Sequence, residues 1–303
     1  MILLQHVCSA PITPIGCNSH SPHSASIRDS ILVSYFLFHF LPSSTSSSQT
    51  FPFHIASLGL FLFVQELILR DNKLTKIPDV GIFKKLLVFD VSFNEITSLQ
   101  GLSKASSTIK ELYSKNEVTN MEEIDHLHEL QILELGSNRL RVMENLQNFT
   151  KLQELWLGRN RIKVINLCGL SCIKKISLQS NRLTSMIGLE ECNALEEIYL
   201  SHNGIAKMEG LSKLVNLRVL DVSSNKLTSV DDIQNLTRLE DLWLNDNRIE
   251  SLEDIAEGVS GSREKLTTIY HENNPYVWFS PNYNATLKQI FPNIQQIDSE
   301  VFA

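Results

Sequence analysis

The chain has 303 residues, room for one or two domains, with 43% apolar residues and a formal net charge of −7. An acidic balance argues against direct nucleic-acid binding, which needs a basic stripe along the phosphate backbone, and suits a protein partner with a basic face. Five cysteines, an odd number with no paired flanking clusters, argue against a disulfide-stapled secreted scaffold.

The first segment, 1–63, carries only two charged side chains, Arg28 and Asp29, so the net charge belongs to the remainder. Its apolar runs, 31–41 and 58–64, fall short of the ~20 residues a membrane span needs. The first run also starts too late, without a basic lead, for a secretory signal, so no membrane association is expected. A serine-rich tract at 43–50 reads as a linker. The stretch up to about Thr50 is expected to be poorly ordered, with Phe51 to Phe63 lying over the open end of the region that begins at Val64.

From Val64 onward an asparagine ladder sets the organisation: Asn72, Asn94, Asn116, Asn138, Asn160, Asn181, Asn203, Asn225 and Asn247. The step is 22 residues throughout except for one step of 21, between Asn160 and Asn181. Leucines or their equivalents stand eight, five and three residues before each asparagine, as in Leu239, Leu242 and Leu244, and apolar residues return after it, as in Leu227, Val230 and Ile233. The frame L-x-x-L-x-L-x-x-N at this period is that of a leucine-rich-repeat solenoid. A short strand alternates its side chains, so the leucines five and three before the asparagine point inward. The return stretch is too short for a full α-helix and is expected to be 3₁₀ or irregular. The expected fold is an α/β solenoid, a leucine-rich-repeat horseshoe with a parallel concave sheet over 64–274. A capping segment over 275–303 closes it, with Tyr283, Leu287, Ile290 and Ile294 at helical spacing and Pro292 as a stop.

Cys168 and Cys192 fall eight and eleven residues after their asparagines, where the register asks for small buried apolar groups, so both read as core thiols. Reduced core thiols point to the nucleus and cytoplasm. His126 and His128 lie on a return stretch, where solvated or structural histidines are the default over a zinc pair. No phosphate loop, nucleophile elbow or H-E-x-x-H motif is present, so no enzyme activity, metal or cofactor is expected.

The concave face holds the informative column. Four residues before the asparagine it reads Asp90, then Leu112 or Tyr113, Glu134, Trp156, Ser177, Tyr199, Asp221, Trp243 and Tyr270. The second member is open because the strand before Asn116 is one residue short. Exposed strand positions ordinarily carry Thr, Lys, Ser or Glu, whereas here aromatics and acids alternate along roughly 40 Å of sheet. Large residues that merely tile a curved sheet are one reading. A protein-binding face is the better one, since Tyr and Trp dominate interface hot spots and exposed aromatic patches have partners. Flanking acids Glu154, Glu197 and Asp241 would steer and select a basic surface.

The runs LQILELGSNRL, LWLGRNRI, SLQSNRLT, YLSHNGI and LWLNDNRIE, and the cap N-P…Y…L…F-P-x-I-x-x-I-D, resemble the leucine-rich-repeat regulatory subunit of type-1 serine/threonine protein phosphatase. The resemblance covers about Val64 to Phe302. It implies a non-catalytic subunit, monomeric before complex formation, that binds the phosphatase catalytic subunit through its concave face. Matched repeat by repeat, it implies Asp90, Tyr113, Glu134, Trp156, Asp221, Asp241, Trp243 and Tyr270 as contacts; Tyr199 joins them from the column itself. The alternative is a scaffold of the same fold for a cytoskeletal, ciliary or splicing complex. Three departures stand out. Unrelated sequence replaces the family's earlier repeats. The short strand before Asn116 implies a missing core side chain or a shifted strand. His271 takes an inward leucine position, where an unpartnered imidazole costs on the order of one to a few kcal/mol and would loosen the last strand.

Overall fold

The ladder asparagine recurs because its amide bonds two repeats at once. In the computed structural model, which describes residues 63–279 and 283–302, Asn138 is representative. Its Nδ2 donates to the Leu135 carbonyl of its own repeat at 3.0 Å and to the Ser114 carbonyl of the preceding one at 2.5 Å. Its Oδ1 accepts the Val118 N–H at 2.9 Å. The same bonding is repeated at Asn94, Asn160, Asn181, Asn203, Asn225 and Asn247. These bonds satisfy buried turn groups that have no sheet partner. The residue before the asparagine is left-handed in nearly every such turn, from Asp71 and Phe93 to Asp246 and Asn273.

One sheet of 12 strands runs in sequence order. The strands are β1 (Glu66–Ile68), β2 (Val88–Asp90), β3 (Glu111–Tyr113), β4 (Ile132–Glu134), β5 (Glu154–Trp156) and β6 (Lys175–Ser177), then β7 (Glu197–Tyr199), β8 (Val219–Asp221), β9 (Asp241–Trp243), β10 (Thr268–Tyr270), β11 (Gln296–Ile297) and β12 (Glu300–Val301). All neighbours are parallel except β12, which turns back on β11. The middle residue of each three-residue strand points inward. Leu67, Phe89, Leu112, Leu133, Leu155, Ile176, Ile198, Leu220, Leu242 and Ile269 therefore form one buried, in-register stack. Each such side chain contributes about 1.5–3 kcal/mol of burial. The convex side is mostly turns, with a 3₁₀ turn at Leu102–Lys104.

The repeat from Asn247 to Asn274 differs, because it is 27 residues long. The added length accommodates a helix, α1 (Leu252–Gly258), capped by Ser251, whose hydroxyl accepts the Asp254 N–H at 3.3 Å. Gly258 is required where α1 crosses the preceding repeat, since a Cβ there would lie 2.4 Å from the Val230 carbonyl oxygen. Two further helices, α2 (Pro275–Phe279) and α3 (Tyr283–Ile290), come next, and α3 stops before Pro292 with Leu287 and Phe291 buried. The stretch 1–62, including the segment expected to cover the first repeat, lies outside the described residues.

Two expectations change, and one open alternative is decided. Cys192 is buried, but Cys168 is exposed. The 21-residue repeat is short within its return stretch, so Leu167 and Leu170 take the inward positions and Cys168 turns out to solvent. β3 does not shift: Leu112 pairs in register with Phe89 and Leu133, and the missing residue comes from the turn. Ser114 holds the inward site, and its hydroxyl accepts the Asn116 Nδ2 at 2.9 Å. This turn has lost its left-handed residue.

His271 is the second change. It is fully buried, and the cap supplies a partner for one ring nitrogen: the Tyr276 hydroxyl meets Nδ1, whereas Nε2, 3.4 Å from Asp298 Oδ2, makes no hydrogen bond among the described residues. Tyr276 stacks on the ring at 5.7 Å and Tyr283 meets it edge-on at 4.8 Å. Asp298 Oδ1 accepts the backbone N–H groups of His271 and Glu272 at 2.7 and 3.0 Å. β10 is thus tied to the cap through this cluster and is paired on both sides, by β9 and β11.

Candidate interaction face

Register converts the strand pattern into two columns on the concave surface. The last residues of the strands align as Asp90, Tyr113, Glu134, Trp156, Ser177, Tyr199, Asp221, Trp243 and Tyr270. Tyr113, not Leu112, belongs to the column. The first residues align beside them, among them Glu111, Glu154, Lys175, Glu197 and Asp241. All nine residues proposed from the sequence thus fall in two adjacent columns; eight of them are partly exposed, but Asp221, expected to face solvent, is buried.

The two columns are wired together along each strand. Tyr113 donates its hydroxyl to Glu111 Oε2 at 2.9 Å, Trp156 its Nε1 to Glu154 Oε2 at 3.1 Å, and Tyr199 its hydroxyl to Glu197 Oε2 at 2.9 Å. Residues two apart on a strand share a face, so an acid two positions before an aromatic holds its polar tip. This pairing was legible as a spacing but not singled out from the sequence. It fixes large side chains before any partner arrives, which lowers the ordering cost of binding.

Aromatic pairs extend the order between strands. Trp156 and Tyr199 stack at 6.2 Å across the small, buried Ser177. Trp243 and Tyr270 meet at 5.0 Å, and the Tyr270 hydroxyl accepts Gln296 Nε2 at 2.6 Å. Trp243 departs from the pattern: its Nε1 is buried with no acceptor, and the Asp241 carboxylate beside it makes no hydrogen bond or ion pair among the described residues.

The acids are not equivalent. Asp221 is only 3% exposed, and its Oδ1 accepts the Ser223 N–H and hydroxyl at 3.0 and 2.6 Å. Asp90 accepts the Ser92 N–H at 2.8 Å but remains partly exposed. Glu134 pairs with Lys115 at 2.7 Å and Glu197 with Lys175 at 3.1 Å. Lys175 is the only lysine or arginine in the two columns. Its hydrogen bond to Glu197 raises its pKa. Burial, then the neighbouring carboxylates, push the Tyr113 and Tyr199 phenols well above their ordinary range. The surface is therefore anionic, aromatic and pre-ordered.

Phe93 escaped the sequence reading. It sits half-exposed at the left-handed position before Asn94, with the Arg70 guanidinium 4.5 Å from its ring. An aromatic at a turn position otherwise filled by small or polar residues was the available signal. Among the described residues, no cluster of three or more His, Cys, Asp or Glu could hold a metal ion, and no helix is long and apolar enough to cross a membrane.

Parallel strands, asparagine turns and an aromatic concave column define the class: a leucine-rich-repeat protein. A family model described as Leucine Rich repeats (2 copies) matches residues 193–232 and 215–257. The fold is shared with a leucine-rich-repeat protein of Leptospira interrogans (TM-score 0.64, 24% identity, 79% of this chain and 68% of that one). It is shared also with internalin C2 of Listeria monocytogenes (TM-score 0.57, 23% identity, 60% and 81%). Over 241 residues the chain is 78% identical to the Arabidopsis thaliana protein named "Protein phosphatase 1 regulatory inhibitor subunit PPP1R7 homolog", covering 79% of this chain and 73% of that one. The chain belongs to this family, the leucine-rich-repeat regulatory subunits of protein phosphatase 1.

Proposed function

We propose that this chain is a non-catalytic regulatory subunit that binds the catalytic subunit of type-1 serine/threonine protein phosphatase, with the concave columns as its contact surface. The observation that carries the partner is the 78% identity to a named regulatory subunit of that phosphatase. The contact surface is supported by its chemistry. Pre-ordered Tyr and Trp rings supply anchors of the kind that dominate interface energetics. Unpaired acids such as Asp241 favour a basic counter-surface and speed encounter with it. Localisation to the nucleus and cytoplasm is part of the same proposal.

Calorimetric titration of the chain with purified catalytic subunit tests both parts, run beside a Trp156→Ala/Trp243→Ala double variant. Tight binding by the wild type and a loss of at least 100-fold in the variant, about 2.7 kcal/mol, is the expected result. Unchanged binding by the variant would place the contact elsewhere. No binding by a folded wild type would remove the partner.

A further inference from the structure

The turns after β4, β5 and β6 carry a concentration of positive charge that the concave site does not use. Arg139 and Arg141 lie in the first turn, Arg159, Arg161 and Lys163 in the second, and Arg182 in the third; all six are exposed. Backbone hydrogen bonds link these turns directly, Arg161 N–H to the Leu140 carbonyl and Arg182 N–H to the Ile162 carbonyl, each at 2.8 Å. Adjacent turns are therefore one repeat apart, about 5 Å. Arg139 is committed to Glu117 at 2.8 Å. The other five side chains make no hydrogen bond or ion pair among the described residues. Five free cations on a chain of net charge −7 are not a generic solvated surface.

Two apolar side chains are set in this patch. Val142 and Val164 occupy equivalent positions in adjacent turns and are 58% and 69% exposed. The patch is also bounded. The two preceding turns place Glu95 and Glu117 where Arg139 and Arg161 stand, and on the other side Gly204 interrupts the row before Lys226 and Arg248 resume it.

We propose that this edge is a second docking surface, for a short acidic segment of another protein that carries apolar side chains among its carboxylates. Guanidinium groups bind carboxylates in bidentate fashion, and the paired valines add contacts that a phosphate backbone has no means to use. The limited length points the same way. Three turns span only about 10 Å, and a longer polyanion would run onto Glu117 and Glu95. The segment 1–62 is not the occupant, because Asp29 is its only acid. Since the patch sits on the turns and not on the columns of the strands, an acidic segment held there leaves the concave face open. The inference stands apart from the identity of the concave partner.

The test is fluorescence anisotropy of the full chain with a fluorescein-labelled 12-residue peptide of alternating glutamate and leucine. An all-glutamate peptide and a 12-nucleotide oligothymidine, labelled alike, are the comparisons. Saturable binding of the mixed peptide, tighter than of either comparison and weakened by salt, is expected. Arg141→Glu/Arg161→Glu should weaken it at least tenfold, and Val142→Ser/Val164→Ser at least threefold. Arg161→Gln/Lys163→Gln carries the same test should the reversal disturb the circular dichroism spectrum. Absence of binding, or binding indifferent to the arginines, overturns the proposal. Tighter binding of the oligonucleotide makes the edge a nucleic-acid surface, and self-association lost in the arginine variant makes the occupant a second copy; either result also overturns it.

Discussion

Tyr199 donates its phenol to Glu197, two residues earlier on the same strand, at 2.9 Å. The carboxylate holds the ring that stacks on Trp156, while Lys175 pairs with the same acid from the neighbouring strand. Burial first and the carboxylate second raise the phenol's pKa above the ordinary 10.0, so the folded state favours the protonated form. This stabilisation is complete below pH 10 and is lost as pH rises through the folded value. Glu197→Gln is expected to bring part of the alkaline absorbance change back toward 10, read by spectrophotometric titration. An unchanged titration curve would mean that the carboxylate does not govern the phenol.

Replacing a ladder asparagine should cost according to its depth in the stack. Asn138→Ala removes bonds to the Leu135 and Ser114 carbonyls and to the Val118 N–H, all in buried surroundings. A loss on the order of 3 kcal/mol is expected. Among the described residues Asn72 makes bonds only within its own turn, to the Leu69 and Arg70 carbonyls, and Asn72→Ala should cost less than about 1 kcal/mol. Urea denaturation midpoints of the two variants compare them; equal shifts would contradict the cross-repeat role.

At the cap, His271→Leu is expected to destabilise, because it leaves the Tyr276 hydroxyl buried without its partner. The loss should be about 1–3 kcal/mol at pH 7.5. Burial holds the His271 pKa below 6.5, with Asp298 opposing that shift. The unfolded state therefore binds the proton more readily, and the contribution, complete above 6.5, is lost as pH falls from there toward the folded value. Melting temperatures between pH 7.5 and 5.5 should decline more steeply for the wild type than for His271→Leu. A higher melting temperature for the variant at pH 7.5 would show that the cluster does not compensate for burying the ring.

The cysteines should separate by accessibility. Burial, with Glu190 and Glu191 nearby, pushes the Cys192 thiol up to about 11, while Cys168 and Cys172 are exposed. At pH 8, maleimide labelling read by peptide mass spectrometry should modify those two in the native protein and Cys192 only in denaturant. Native labelling of Cys192 would mean that the return stretch opens.

Nearly all of this architecture is legible in the sequence wherever one rule acts alone. The period, the inward leucines and the concave column result from strand alternation and from the asparagine turn. Readings fail where residue counting and hydrogen bonding disagree. Cys168 is eight residues past its asparagine, as buried positions elsewhere are, but the short return stretch hands that place to Leu167. Counting back from Asn116 leaves Leu112 and Tyr113 in competition, and only pairing with Phe89 and Leu133 decides between them. The partners of His271 come from Tyr276 and Asp298, five and 27 residues away. The burial of Asp221 against Ser223 needs side-chain coordinates.

The repeats measure 21, 22 or 27 residues between asparagines, and one has traded a turn residue for a convex one, yet every concave residue meets its neighbour without slippage. The sheet behaves as a ruler, with the loops as slack. Evolution has been able to insert and delete behind the face without scrambling the order in which the face is presented. For protein engineering, each strand is a separately addressable line of text, open to rewriting without resetting the page.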